Sequence, residues 1–301
     1  MSNPVFSRSD VFGEPRRTGA AGARRGGTAT YPNQTPAYGT PPQPGQSGQY
    51  GAAGQRPMDA SELDAMYKSP SATTADTRRM TYDDVIIKTG GLLALLVVVA
   101  AATWTLVPDP MLFMVMIVGA IGGLVLGLVN SFKRNPSPAL IVVYTVFEGA
   151  FVGGISKVME SIANGVVPQA VLGTIATFAA ALFLFKSGRV RVTPKFTRWL
   201  LIAVTGYAVF SLVNFGLVMF GVLDGWGMRN GWLGVIVGVV AVGLAAMMLI
   251  LDFDSIKRGV EGGAPAKMAW AAAFGLLVTL IWLYIELLRL LTILQSLFSG
   301  D

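Results

Sequence analysis

Between about residue 86 and residue 298 the chain is a succession of seven long apolar runs cut by short polar loops. The runs cover residues 86–107, 111–130, 139–156, 167–186, 199–221, 232–252 and 268–296. Most approach the ~20 apolar residues that a helix needs to cross a bilayer. Backbone N–H and C=O groups find no water in lipid, so runs of this kind bond internally as helices. The pattern predicts an all-α integral membrane protein: a seven-transmembrane-helix bundle over residues 81–301, preceded by a disordered tail over residues 1–80. Thr81, followed by Asp83 and Asp84, places a capping oxygen and two negative charges where the first run begins, the end that the helix dipole makes positive.

The tail has no such pattern. It is built from Gly, Pro, Ala, Gln, Thr and Arg, as in Ala37-Tyr38-Gly39-Thr40-Pro41-Pro42-Gln43-Pro44-Gly45. That leaves too little apolar surface to offset the entropy lost on ordering. Arg8, Arg16, Arg17, Arg24 and Arg25 are not followed by an apolar stretch, so the tail does not read as a secretory signal peptide. One short amphipathic helix is predicted over Met58–Tyr67.

Loop charge gives the bundle a direction. Arg78 and Arg79 precede run 1, Lys133 and Arg134 follow run 2, Lys186, Arg189, Arg191, Lys195 and Arg198 follow run 4, and Lys257, Arg258 and Lys267 follow run 6. The alternate loops hold only Arg229. Positive loops stay in the cytoplasm, so the N-terminus is expected inside, the C-terminus outside, and the protein in a cytoplasmic membrane. Small residues recur every fourth position in Gly119/Gly123/Gly127, Gly149/Gly153 and Gly234/Gly238. This spacing lets helix backbones approach closely, either within the bundle or between copies of it.

Composition agrees and closes off several classes. With 53% hydrophobic and 13% charged residues, the main solvent of this chain is lipid. The net charge of +6 resides in the tail and in alternate loops, which speaks for membrane insertion and against nucleic acid as a partner. Cysteine and histidine are both absent, so disulfides, thiolate chemistry and the usual zinc and haem ligands are missing, and no cofactor is expected. Without an imidazole, any pH response near neutrality has to come from carboxylates.

Four carboxylates within or at the ends of the runs are therefore the candidate chemistry, because an ionisable group in hydrocarbon costs roughly 2.5–3.5 kcal/mol on insertion scales and marks ion or proton traffic by default. Glu148 lies about ten residues into run 3, near the bilayer midplane at ~1.5 Å per residue. It has no charged neighbour within a turn and either faces a polar cavity or bonds to another helix. Asp252 and Asp254 end run 6 at the cytoplasmic mouth, with Asp254 either solvated or paired with Lys257 or Arg258. Lys133 and Arg134 are the nearest candidates for a counter-charge to Asp252. Glu286 shares a helix face with Arg289 at i+3, which can neutralise it locally. Catalysis finds little support: no phosphate-binding loop, nucleophile elbow or paired metal-ligand motif occurs, and Ser156 next to Lys157 diverges from it by about 100° on a helix. The expectation is that this is not an enzyme.

Asp252-Phe253-Asp254-Ser255-Ile256-Lys257, followed by Ile285-Glu286-Leu287-Leu288-Arg289-Leu290-Leu291-Thr292-Ile293-Leu294, resembles the Bax inhibitor-1 / YccA (TMBIM-like) family from about residue 81 onward. The Gly, Ala, Val and Arg usage with a Pro/Gln tail is similar to its bacterial, actinobacterial branch. The resemblance implies a pH-sensitive calcium leak gated by two carboxylates, one on the sixth helix and one on the last, with a basic latch near the end of the second. The first acid maps onto Asp252 and the latch onto Lys133, with Arg134 beside it. The second acid falls on Thr279, which cannot ionise, so Glu286 and Glu148 stand as the other intramembrane acids. Two functions follow as expectations. One is a leak or exchange of cations, calcium against protons, with Asp252 at the gate and Glu148 and Glu286 along the path. The alternative is a membrane-embedded regulator whose tail binds another membrane protein, such as a membrane protease.

Overall fold

A computed structural model describes residues 78–133, 137–188 and 192–299. Residues 1–77 of the predicted tail, with the Met58–Tyr67 helix, lie outside the described residues; its last three, 78–80, are described, and Met80 is buried. Seven helices follow in order: α1 Tyr82–Leu106, α2 Asp109–Phe132, α3 Pro138–Ile162, α4 Val166–Lys186, α5 Pro194–Met219, α6 Gly231–Glu261 and α7 Met268–Ser299. All seven are long and apolar enough to cross a membrane, as the hydropathy pattern predicts. Most extend beyond the apolar run into the flanking polar residues, since helical bonding continues until a cap or proline stops it. Thr81 caps α1 as expected: its hydroxyl accepts from the Asp84 N–H at 3.1 Å, while the Asp84 carboxylate accepts from the Thr81 N–H at 3.2 Å. This is a capping box.

α7 is the axis of the bundle. It packs against α1, α3, α4 and α6, and 72% of its apolar window is buried, against 11% for α5. The reason lies at its start, where Ala269, Ala271, Ala272 and Ala273 are each no more than 2% exposed. Lipid tails are as apolar as leucine, so helices associate in a bilayer through close packing, and small side chains permit it. α5, which touches α6 and the 3-10 turn Gly227–Arg229 that follows it, instead presents Leu212 and Phe215 outward.

The three glycine stripes are internal contacts. Gly119, Gly123 and Gly127 of α2 receive Phe147 and Phe151, Glu148, and Tyr144 of α3; Gly149 and Gly153 receive α1; Gly234 and Gly238 receive the Arg229 backbone and Leu290 of α7. A Cβ on Gly153 would stand 2.3 Å from the Ala100 carbonyl oxygen, so only glycine fits there.

Hydrogen bonds fix which loops share an end. α6 closes with the Gly263 N–H donating to Val260 O at 3.1 Å and the Ala264 N–H donating to Gly259 O at 2.9 Å, with Gly263 at φ +69°. This is a Schellman motif, which requires that left-handed residue. The loop it launches then binds the segment ahead of α1, with Met80 N–H to Ala264 O and Ala266 N–H to Arg78 O both at 2.7 Å. At the opposite end Lys157 of α3 pairs with Asp109 at 2.7 Å, and Gln295 of α7 reaches Asn164 O at 3.3 Å. The alternation read from loop charge is thus built into the bundle: one end carries the basic loops, the other does not.

Candidate functional site

Asp252 stands on α6, nine residues before its end, and is only 3% exposed. Its Oδ2 accepts a hydrogen bond of 2.6 Å from the Thr279 hydroxyl on α7, and that hydroxyl also reaches the Gly275 carbonyl at 3.2 Å. The two residues that sequence similarity assigns to an acid pair therefore do face each other across α6 and α7, with a hydroxyl where the second carboxylate would be. Leu249, Phe253, Leu276 and Leu280 pack around the same seam. No cation meets Asp252 among the described residues. Lys133 ends α2 without an ion pair to it, and Arg134 lies outside the described residues. Lys133 stays apart from Asp252 because α2 packs chiefly on α3 rather than on α6.

The other three acids have different surroundings. Asp254, two residues on, points away and pairs with Arg258 at 3.0 Å, one of the two arrangements expected. Half-buried Glu148 lies between α3 and α2 over Gly123, where a Cβ would be 2.6 Å from its Oε1, and it interacts with the Tyr144 hydroxyl one turn earlier. Glu286 is 4% exposed and ion-paired with Arg289, as the i+3 spacing suggested. It also accepts from the Tyr207 hydroxyl of α5 and, at 3.3 Å, from the Trp282 indole N–H. Asp252 and Glu286 have no partner in common.

Sequence reasoning missed the cluster around Glu286. Arg229, in the loop after α5, folds back until it is 8% exposed, bonds Ser211, and lies over the Tyr207 and Phe210 rings at 5.1 and 5.3 Å. Its signal in the sequence was its isolation as the one basic residue of the alternate loops. Ser156, weighed as a nucleophile, bonds Val152 O and the Tyr284 hydroxyl, each at 2.6 Å, while Lys157 turns to Asp109 and Val107 O. Glu160 accepts from the Gly165 and Val167 N–H groups at 2.6 and 2.9 Å and so caps α4.

Chemically, among the described residues Asp252 is the one fully buried acid that a single neutral hydroxyl satisfies, with no ion pair among them to break before it accepts a proton or a cation. Among the described residues no group of three acidic side chains gathers to hold a metal, so a passing calcium ion would meet one carboxylate with hydroxyl and carbonyl oxygens, a weak set for it.

Comparison with curated proteins gives no match. The family model described as "Bax inhibitor 1 like" matches residues 3–296 of the 301. A match over nearly the whole length, together with seven membrane-spanning helices, places this chain in the Bax inhibitor 1 like family of multi-pass membrane proteins.

Proposed function

We propose that this protein passes cations, calcium exchanged against protons, through the cytoplasmic membrane of a bacterium, with its N-terminus inside and its gate at the Asp252–Thr279 contact. The observation that carries this reading is a buried carboxylate with no cation against it among the described residues. An intramembrane acid of that kind marks an ion route by default. In the protonated state Asp252 is neutral and holds α6 to α7 through Thr279. In the ionised state it attracts a cation from the basic end of the bundle. Glu148 is the next acid without an ion pair, and Glu286 and Asp254 are neutralised locally. No reaction is catalysed.

The purified protein in liposomes is expected to release calcium at a rate that changes between about pH 5 and 8, the window that histidine would otherwise serve. Asp252→Asn should flatten that pH dependence, and Thr279→Asp, which completes the acid pair, should move it. Equal flux from protein-free and protein-containing liposomes across the window would end the reading.

The arginine pairing of Glu286 favours a second reading, in which the acids are structural and the protein regulates another membrane protein. Deleting residues 1–79 would then abolish a co-purifying partner, and Glu148→Gln would leave it bound. The reverse pattern speaks for the ion route.

A further inference from the structure

A cleft of about 300 Å³ opens between α3, α5 and α7 at the end away from the basic loops. Its walls are mostly apolar, from Met159, Phe215, Val218 and Leu288, and its head holds Arg229 and Arg289. These guanidiniums are 8% and 6% exposed, and the Nε of each is buried without a hydrogen-bond partner. Between them stands one buried carboxylate, Glu286, so two cations minus one anion leave the cluster at +1. Among the described residues, the other acids at this end do not redress the balance. Glu160 is spent on the α4 backbone, Asp109 on Lys157, and Asp224 is exposed on the loop. The site is also held in shape: Asn214 donates to Trp226 O at 3.1 Å and accepts from the Met228 N–H at 2.7 Å, which pins the loop that delivers Arg229.

A surplus guanidinium inside a membrane-spanning bundle calls for an anion, and an apolar groove leading to it calls for a chain. Arginine in such a position matches a phosphate oxyanion with its planar fork, where lysine would offer only a point charge. We infer that this cleft binds the phosphate of an acidic phospholipid, with the headgroup on Arg229 and Arg289 and an acyl chain along Phe215, Val218 and Leu288. The occupant arrives sideways from the leaflet at this end, since α5 has few neighbours and its outer face is lipid-exposed.

Trp226 lines the cleft and reports on it. In the full-length protein reconstituted in phosphatidylcholine vesicles, the fluorescence lost in Trp226→Phe defines its contribution. Phosphatidylglycerol with brominated chains should quench that component with an association constant at least about fivefold above brominated phosphatidylcholine, the weight of one basic side chain against an anionic lipid. Arg229→Gln should equalise the two lipids. Val218→Phe fills the groove without altering charge and should weaken quenching by both, which keeps the test open if the arginine variant does not reconstitute. Equal association of the two lipids with the unaltered protein overturns the inference, as does unchanged quenching in Val218→Phe. Relief of the quenching by millimolar inorganic phosphate, with no lipid preference, would assign the site to a free oxyanion and overturn the lipid.

Discussion

Asp252 and Glu286 are buried to the same degree, 3% and 4% exposed, and both meet the central helix α7, yet they are satisfied in opposite ways. Glu286 has a guanidinium, a phenol and an indole around it. Asp252 has one threonine hydroxyl. The first arrangement is over-determined: α5, α7 and, through Arg229, the following loop are tied together by it. Removing Arg289 breaks the ion pair, while removing the phenol or the indole takes away a neutral donor. The second is minimal, and its neutral and ionised forms differ by a single proton with no ion pair to dismantle among the described residues. The contrast teaches that burial alone does not identify a working acid. What surrounds the acid decides whether it is mortar or a switch.

The largest test of that contrast is Arg289→Met. It removes the direct ion pair of Glu286 and leaves Arg229 as the one guanidinium near it among the described residues, and breaking a buried pair from one side costs up to about 3–5 kcal/mol. The unfolding midpoint in detergent should fall steeply, and adding Glu286→Leu should restore most of it. If Arg289→Met leaves the midpoint unchanged, the Glu286 cluster does not hold the bundle together. Next in size is Thr279→Val, nearly the same shape without the hydroxyl. It leaves Asp252 with no donor and should cost about 1–3 kcal/mol when the carboxylate is ionised. The loss should shrink as the pH of the unfolding experiment is lowered, because a protonated Asp252 no longer needs the donor as much. A pH-independent loss would mean that Thr279 contributes packing alone. The smallest effect belongs to Asp254→Asn. Its pair with Arg258 is at the helix end, with the arginine side chain 43% exposed, and a pair of this type contributes about 0–1 kcal/mol. A larger loss would put Asp254 with the buried acids.

Much of the fold is legible along the chain because lipid imposes one strong rule on the backbone. Each predicted run became a helix, and the cap at Thr81, the turn at Gly262 and Gly263, and the Glu286–Arg289 pairing all follow from spacings of five residues or fewer. The glycine stripes told where helices would approach but left the partner open, since the same spacing serves a bundle or a dimer. The site was legible only in pieces. The family resemblance named positions 252 and 279, and the structure brings these residues, 27 positions apart, into contact. Lys133 shares an end with Asp252 and still does not meet it.

What the linear order of residues determined by itself is the number of spans, their alternation, and the absence of histidine and cysteine, because these depend on hydropathy, charge and composition. Tertiary structure decided which acids are neutralised. Tyr207 and Glu286 are 79 positions apart, and Ser156 and Tyr284 are 128 apart. No local spacing encodes contacts of that range. They arise because the alanine-rich start of α7 lets α1, α3, α4 and α6 close around it, and that packing sets the rotation of each helix and so what each carboxylate faces.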